Sequence, residues 1–173
     1  MQAGSTFKIF TLIAALQSGD VATASQYSGA SPQFFEEFAD PAATTDAGRR
    51  GRVKNFGNES FGQIDLRKAT KNSVNTVYAQ LNIDAGPEKT MKAAEDAGVR
   101  SELQANVANV LGTDYVTVMD MANAYATLAA NGVTLTPAYS CTVCSPARSC
   151  ILTGRYGFRT GTGNVITPMS GSP

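Results

Sequence analysis

Gly4-Ser5-Thr6-Phe7-Lys8-Ile9-Phe10-Thr11-Leu12-Ile13-Ala14-Ala15-Leu16-Gln17-Ser18-Gly19 is the stretch from which the rest of the chain is read. Ile9, Leu12, Ile13 and Leu16 recur at i, i+3, i+4 and i+7, and Phe10, Ala14 and Ala15 widen the apolar stripe until little of the circumference is polar. The pattern predicts a buried helix with limits near residues 5 and 18, with Gly4 ahead of its start and Gly19 in the place of a left-handed C-terminal cap. Ser5 and Lys8, three positions apart, share a face of the first turn, where free backbone N–H groups favour negative charge. A lysine on so apolar a helix is costly to bury charged, which lowers its pKa and leaves a neutral amine able to take a proton from a serine. An N-cap serine followed by a solvated lysine has the same spelling, so this stretch alone leaves both readings open.

The totals narrow the chemistry. A chain of 173 residues, 43% hydrophobic and 16% charged, has the composition of one globular domain. Fourteen Lys plus Arg balance 14 Asp plus Glu, so no overall field favours nucleic acid or an anionic membrane, and Arg49, Arg50 and Arg52 read as a solvated loop. No apolar run is long enough to span a bilayer, and no signal-peptide pattern opens the sequence. Histidine is absent, which removes Ser-His-Asp and Cys-His catalysis, a two-histidine zinc site and an imidazole base. Any base must be a lysine or a carboxylate. The three cysteines, Cys141, Cys144 and Cys150, all lie in the last quarter.

Residues 20–62 show no sustained period and read as loops with short extended pieces, with Asp46-Ala47-Gly48 as a turn and Phe34, Phe35 and Phe38 as a local apolar cluster. Asp65 is placed to cap a short helical turn. A polar elbow, Thr70-Lys71-Asn72-Ser73, then leads into a helix built on Val74, Val77, Tyr78 and Leu81, with Ser73 and Asn75 at its entrance. Gly86-Pro87 opens another helix that Gly98 closes. A last helix runs from Val116 to Ala130, with Val118, Met121, Ala122, Tyr125, Leu128 and Ala129 as its stripe and capping-box spacing from Thr117 to Asp120.

A Ser-x-x-Lys helix followed by Ser-x-Asn at a helix entrance supplies what acyl transfer to a peptide needs. A second hydroxyl can pass a proton between the lysine and a leaving group, and a carboxamide can hold a substrate by its backbone amide. Here Gly4-Ser5-Thr6-Phe7-Lys8, Asn55-Phe56-Gly57-Asn58-Glu59-Ser60-Phe61-Gly62, Ala69-Thr70-Lys71-Asn72-Ser73-Val74-Asn75-Thr76 and Met121-Ala122-Asn123-Ala124-Tyr125-Ala126-Thr127-Leu128-Ala129 resemble, in order, landmarks of the transpeptidase domain of bifunctional penicillin-binding proteins. The resemblance covers about residues 1–135. It implies an α+β, penicillin-binding-protein-like transpeptidase fold, helix-rich and truncated in the part present, since the family's domains have strands ahead of the serine helix. It also implies a D-alanyl-D-alanine transpeptidase that cross-links peptidoglycan stem peptides and is acylated by β-lactams, outside the cytoplasm at the cell envelope, with no cofactor and no metal. By the same resemblance Ser5 is the acylated nucleophile, Lys8 its base, Ser73 a proton relay and Asn75 a substrate anchor. The family's third motif, Lys-Thr-Gly, has its nearest match in Arg159-Thr160-Gly161-Thr162, which makes Thr160 and Gly161 candidate substrate contacts.

From about residue 136 the sequence changes character. Cys144-Ser145-Pro146-Ala147-Arg148, Leu152-Thr153-Gly154-Arg155-Tyr156 and Arg159-Thr160-Gly161 resemble the sulfatase signature over about residues 137–167. The resemblance implies Cys144 as a residue that a separate enzyme oxidises to formylglycine, with Arg148 as its partner. Without histidines or a carboxylate cluster, sulfatase activity itself is not expected. The sequence therefore predicts a partial transpeptidase domain at 1–135 joined to a loop-rich, sulfatase-like segment at 136–173, as in a chimera, a mis-assembled reading frame or an engineered fusion. The competing readings are a non-catalytic helical module and a C-terminal segment that serves as a modification substrate.

Overall fold

The computed structural model describes residues 1–130. Met1–Ala124 form one compact unit, and the chain from Tyr125 belongs to a second. Among the described residues six helices and four short strands follow one another: α1 (Lys8–Gln17), β1 (Gln26–Ser28), β2 (Gln33–Phe34), α2 (Asp46–Arg49), β3 (Arg52–Val53), β4 (Gln63–Asp65), α3 (Leu66–Lys71), α4 (Asn75–Ala85), α5 (Pro87–Asp96) and α6 (Val118–Ala130). Single 3-10 turns at Gly4–Phe7, Glu36–Phe38, Phe56–Asn58 and Val107–Leu111 join them. The strands form two antiparallel ladders, β1 with β4 (Tyr27 opposite Ile64) and β2 with β3 (Gln33 opposite Val53). This is the helix-rich α+β arrangement the resemblance implies.

The centre is α4. Val74, Val77, Tyr78 and Leu81, the stripe predicted from sequence, are buried together with Ile64, Leu66, Ala69, Ala85 and Val110, and Ala15 of α1 joins the same cluster. α1 lies against both α4 and α5. Ladder β1–β4 is fastened to α4 by Gln80, whose amide donates to Ser28 O at 2.8 Å, and by the Tyr27 hydroxyl, 3.2 Å from Asp84 Oδ2.

Several caps follow from single residues. Gly19 has φ +81° and donates to Leu16 O at 3.3 Å, the left-handed cap expected there. Asp65 caps α3 by accepting from Lys68 N at 2.8 Å. Pro87 opens α5. Asp46-Ala47-Gly48, expected as a turn, is the single helical turn α2, capped by Thr45, which accepts from Gly48 N at 3.1 Å.

Three expectations need correction. The first helix does not run unbroken from residue 5: Gly4–Phe7 is a 3-10 turn and the α-helix begins at Lys8. Gly4 has φ +57°, and its N–H donates to Gly112 O at 3.1 Å, so the chain enters under a tertiary constraint that the helical period does not encode. Second, the buried residues are Phe7 of the 3-10 turn and Lys8, Phe10, Thr11, Ala14 and Ala15 of α1, whereas Ile9, Leu12 and Ile13 are half-buried and Leu16 is 36% exposed. Phe10 fills the start of the buried face and the small Ala14 and Ala15 its later turn, while the aliphatic groups of Ile9, Leu12 and Ile13 lie on the flank. Third, in α6 the buried residues are Asp120, Ala124 and Leu128, while Val118 is 67% exposed and Ala122 and Ala129 are also exposed. Only half of its capping box forms: Asp120 N donates to Thr117 Oγ1 at 3.0 Å, but the Asp120 carboxylate accepts from Ser101 N and from the Ser101 hydroxyl instead of reaching back to Thr117.

Candidate active site

The elbow between α3 and α4 is built by a helix ending. Val74 N donates to Ala69 O at 3.0 Å and Ser73 N to Thr70 O at 3.1 Å, the paired bonds of a Schellman cap, with Ser73 in the left-handed region at φ 52°. Ala69 and Val74, the two residues whose contact completes that motif, are both in the core cluster. A serine in place of the usual glycine costs on the order of 1 kcal/mol. The cost goes with a hydroxyl held at a fixed point beside the start of α4.

Lys8 reaches that point. Its amine donates to Asn75 Oδ1 at 2.6 Å, to Ser73 O at 2.8 Å and lies 3.0 Å from Ser73 Oγ. The residue is 4% exposed, so the reading of a solvated lysine does not hold. Burial pushes its pKa down from 10.5 to about 7, because desolvation penalises the charged form. Three acceptors match the three N–H donors of an ammonium group; once the amine is neutral, the Ser73 hydroxyl can turn and donate to its lone pair. The Tyr78 ring lies 5.5 Å from the amine. Thr70 Oγ1 is 2.6 Å from Leu66 O, to which it gives its one hydrogen, so the Tyr78 hydroxyl, 2.7 Å from Thr70, is the donor in that pair. Burial raises the Tyr78 pKa to about 12, and the phenol stays neutral at ordinary pH.

Ser5 sits one turn before Lys8 in the 3-10 turn and is exposed. No hydrogen bond joins the Ser5 hydroxyl to the Lys8 amine among the described residues, where Lys8 is engaged instead by Ser73 and Asn75. Ser5 is positioned by the backbone: Met1 and Val116 exchange two main-chain bonds, Gln2 bridges to Tyr115, and Gly112 presses on Gly4 so closely that a Cβ there would lie 2.2 Å from Gly4 N and O. Gly112 has φ +67°, so both space and backbone require glycine.

Sequence reasoning missed Asn55. Its amide nitrogen donates to Gly29 O at 3.1 Å and Glu59 O at 2.9 Å, and its Oδ1 accepts from Thr76 N at 3.0 Å and lies 3.2 Å from Thr76 Oγ1. It thereby caps α4 from a distant loop, a task Val74 at the N-cap cannot perform. The neighbouring Lys54 O accepts from Asn75 Nδ2 at 2.9 Å, which turns the other face of that amide toward Lys8. Thr160, Gly161, Cys144 and Arg148 lie outside the described residues. Among the described residues no helix is long and apolar enough to cross a membrane, and no group of three or more potential metal ligands comes together.

With this geometry in hand, comparison decides the family. The sequence matches the penicillin binding protein transpeptidase domain over residues 1–143. The chain belongs to that family. Penicillin-binding protein 1A of Mycobacterium tuberculosis is 33% identical over 149 residues, covering 77% of this chain and 16% of that protein. Penicillin-binding protein 1A of Pseudomonas aeruginosa is 34% identical over 137 residues, covering 79% and 16%. This penicillin-binding protein transpeptidase segment therefore spans about a sixth of the length of the curated relatives it matches. Among solved structures it resembles the PonA1 protein from Mycobacterium tuberculosis in complex with penicillin V, with a TM-score of 0.63 and 31% identity over 76% of this chain and 35% of that one. It also resembles penicillin-binding protein 1A from Haemophilus influenzae, with a TM-score of 0.61 and 26% identity over 74% and 18%.

Proposed function

We propose that residues 1–135 are the serine-and-lysine part of a D-alanyl-D-alanine transpeptidase site that cross-links peptidoglycan on the outer side of the cytoplasmic membrane and is acylated by β-lactams. The observation that carries the reading is the buried Lys8 amine bonded at once to Ser73 and Asn75. In the reaction, the neutral Lys8 amine takes the proton of the Ser5 hydroxyl as Ser5 Oγ bonds to the carbonyl carbon of the penultimate D-alanine. The C–N bond to the terminal D-alanine breaks, and a proton passes from Lys8 through the Ser73 hydroxyl to the leaving amine. An amine of a second stem peptide then attacks the ester, its proton returns through the same groups, and Ser5 is regenerated. Asn75, held by Lys54 O on one side and Lys8 on the other, anchors the substrate backbone. A base with a pKa near the working pH suits both directions of transfer.

The test is release of D-alanine from a peptide ending in D-alanyl-D-alanine, followed for the parent chain and for Ser5→Ala, Lys8→Met and Ser73→Ala. Release that disappears in the first two and falls by about a hundredfold in the third supports the assigned roles. Release unaltered by Ser5→Ala contradicts them. For residues 136–173, the motif from Cys144 to Arg148 supports a separate segment whose cysteine a formylglycine-generating enzyme oxidises. An unreacted thiol at Cys144 after co-expression with that enzyme rules this out.

A further inference from the structure

α1 meets α4 through polar side chains at two places. One is the Lys8 amine on Ser73 and Asn75. The other, one turn along α1, is Thr11, whose hydroxyl lies 3.4 Å from Asn82 Oδ1 and 3.2 Å from Thr90 Oγ1 of α5. Thr90 donates to Asn82 Oδ1 at 2.6 Å, and the Asn82 amide donates to Val107 O at 3.0 Å and to Asn109 Oδ1 at 3.1 Å. Thr11, Asn82 and Thr90 are all 0% exposed, and no buried side-chain N or O among the described residues lacks a partner.

The buried residues one turn along from the members of this cluster include small ones: Ala14 and Ala15 after Thr11 on α1, Ala79 before Asn82 on α4, and Ala93 and Ala94 after Thr90 on α5. Alanine surfaces offer no large knobs to fix how far one helix slides along another. A buried hydrogen bond does fix it, because a slip of one residue, about 1.5 Å, breaks the bond and leaves its groups unpaired away from water. Lys8 and Thr11 are three positions apart on α1, and Asn75 and Asn82 seven apart on α4, so both contacts fall on one face of each helix. The seam is pinned at two points, one reactive and one inert.

We infer that Asn82, gripped by Thr11 and Thr90, is a positioning residue that sets the register of α1 on α4 and so places the Lys8 amine against Ser73 and Asn75. The claim about Lys8 stands on the geometry alone; its consequence for acylation rests on the function proposed above. A displacement of about 1 Å at a reacting group costs on the order of a hundredfold in rate.

The test uses the full chain with Asn82→Leu, and with Thr11→Val and Thr90→Val combined, since valine preserves the shape of threonine and loses only the hydroxyl. Titration of the Lys8 ε-carbon by NMR reads the amine directly. The titratable group against it is Tyr78 of α4, neutral across the range, and the other faces are the uncharged Ser73 and Asn75. In the valine pair the Lys8 midpoint should rise from about 7 toward 10.5 by a pH unit or more, and acylation by benzylpenicillin should slow by about tenfold or more. Thr11→Ser should keep the parent values. A valine pair that melts earlier yet keeps the parent Lys8 midpoint overturns the inference and makes the cluster merely structural. A parent chain that takes no acyl group contradicts the proposed function, while the Lys8 midpoint still decides the register.

Discussion

The seam between α1 and α4 holds two polar clusters that differ in every property relevant to chemistry. Around Lys8 there is an ionisable group with a pKa near 7, a serine in a left-handed conformation and a half-buried rim open to solvent. Around Asn82 there are only amides and hydroxyls, fully buried. The first cluster stores unfavourable free energy, in a desolvated amine and a strained backbone, while the second is satisfied and rigid. A reactive site of this kind depends on a neighbour that does not move.

The largest way to sharpen that contrast is Lys8→Met. A base whose pKa falls on folding binds fewer protons folded than unfolded between about 7 and 10.5, so the parent should gain stability as pH rises through that window, by up to about 1.4 kcal/mol per pH unit. Chemical denaturation of Lys8→Met across the same range should show this rise abolished. A parent whose stability is flat from pH 7 to 10 would break the claim that the amine is buried. Next in size is Asn109→Leu in the inert cluster, where Pro87 O and Gln104 O lose their donors. A loss of about 2–3 kcal/mol is expected in chemical denaturation at neutral pH. A loss below about 0.5 kcal/mol would break the claim that these buried groups depend on Asn109 for their partners. The smallest effect is Ser73→Gly. Relief of the left-handed serine should offset the lost contact to Lys8, leaving the unfolding free energy within about 1 kcal/mol of the parent while D-alanine release collapses.

The two clusters also differ in how visible they are in the sequence. Ser5, Lys8, Ser73 and Asn75 stand out because short polar spacings fall at helix starts, where side chains can converge, and the stripe Val74, Val77, Tyr78 and Leu81 predicted the core face of α4. Asn82 and Thr11 did not stand out, although Asn82 lies four residues after Tyr78 and three before Ala85, within a buried stripe. A lone polar residue there marks a cluster only when its partners are known, and those come from α1, α5 and the turn at Val107–Leu111. The buried faces of α1 and α6 were only partly legible for a related reason. Periodicity gives wide stripes that include Phe10, Ala14 and Ala15 of α1 and Leu128 of α6, and the packing partners decide which part of each stripe is buried. Asn55 stands in the sequence only as part of a landmark stretch, and its capping role escaped because only the fold brings it to the start of α4.

The most direct test of the account is an intact mass spectrum of the purified chain before and after incubation with benzylpenicillin, with the adduct mapped by peptide digestion. One penicilloyl group is expected, on Ser5, absent in Ser5→Ala and formed faster as pH rises through about 7 and Lys8 loses its proton. A folded chain that stays unlabelled, or one labelled at a residue other than Ser5, would contradict it.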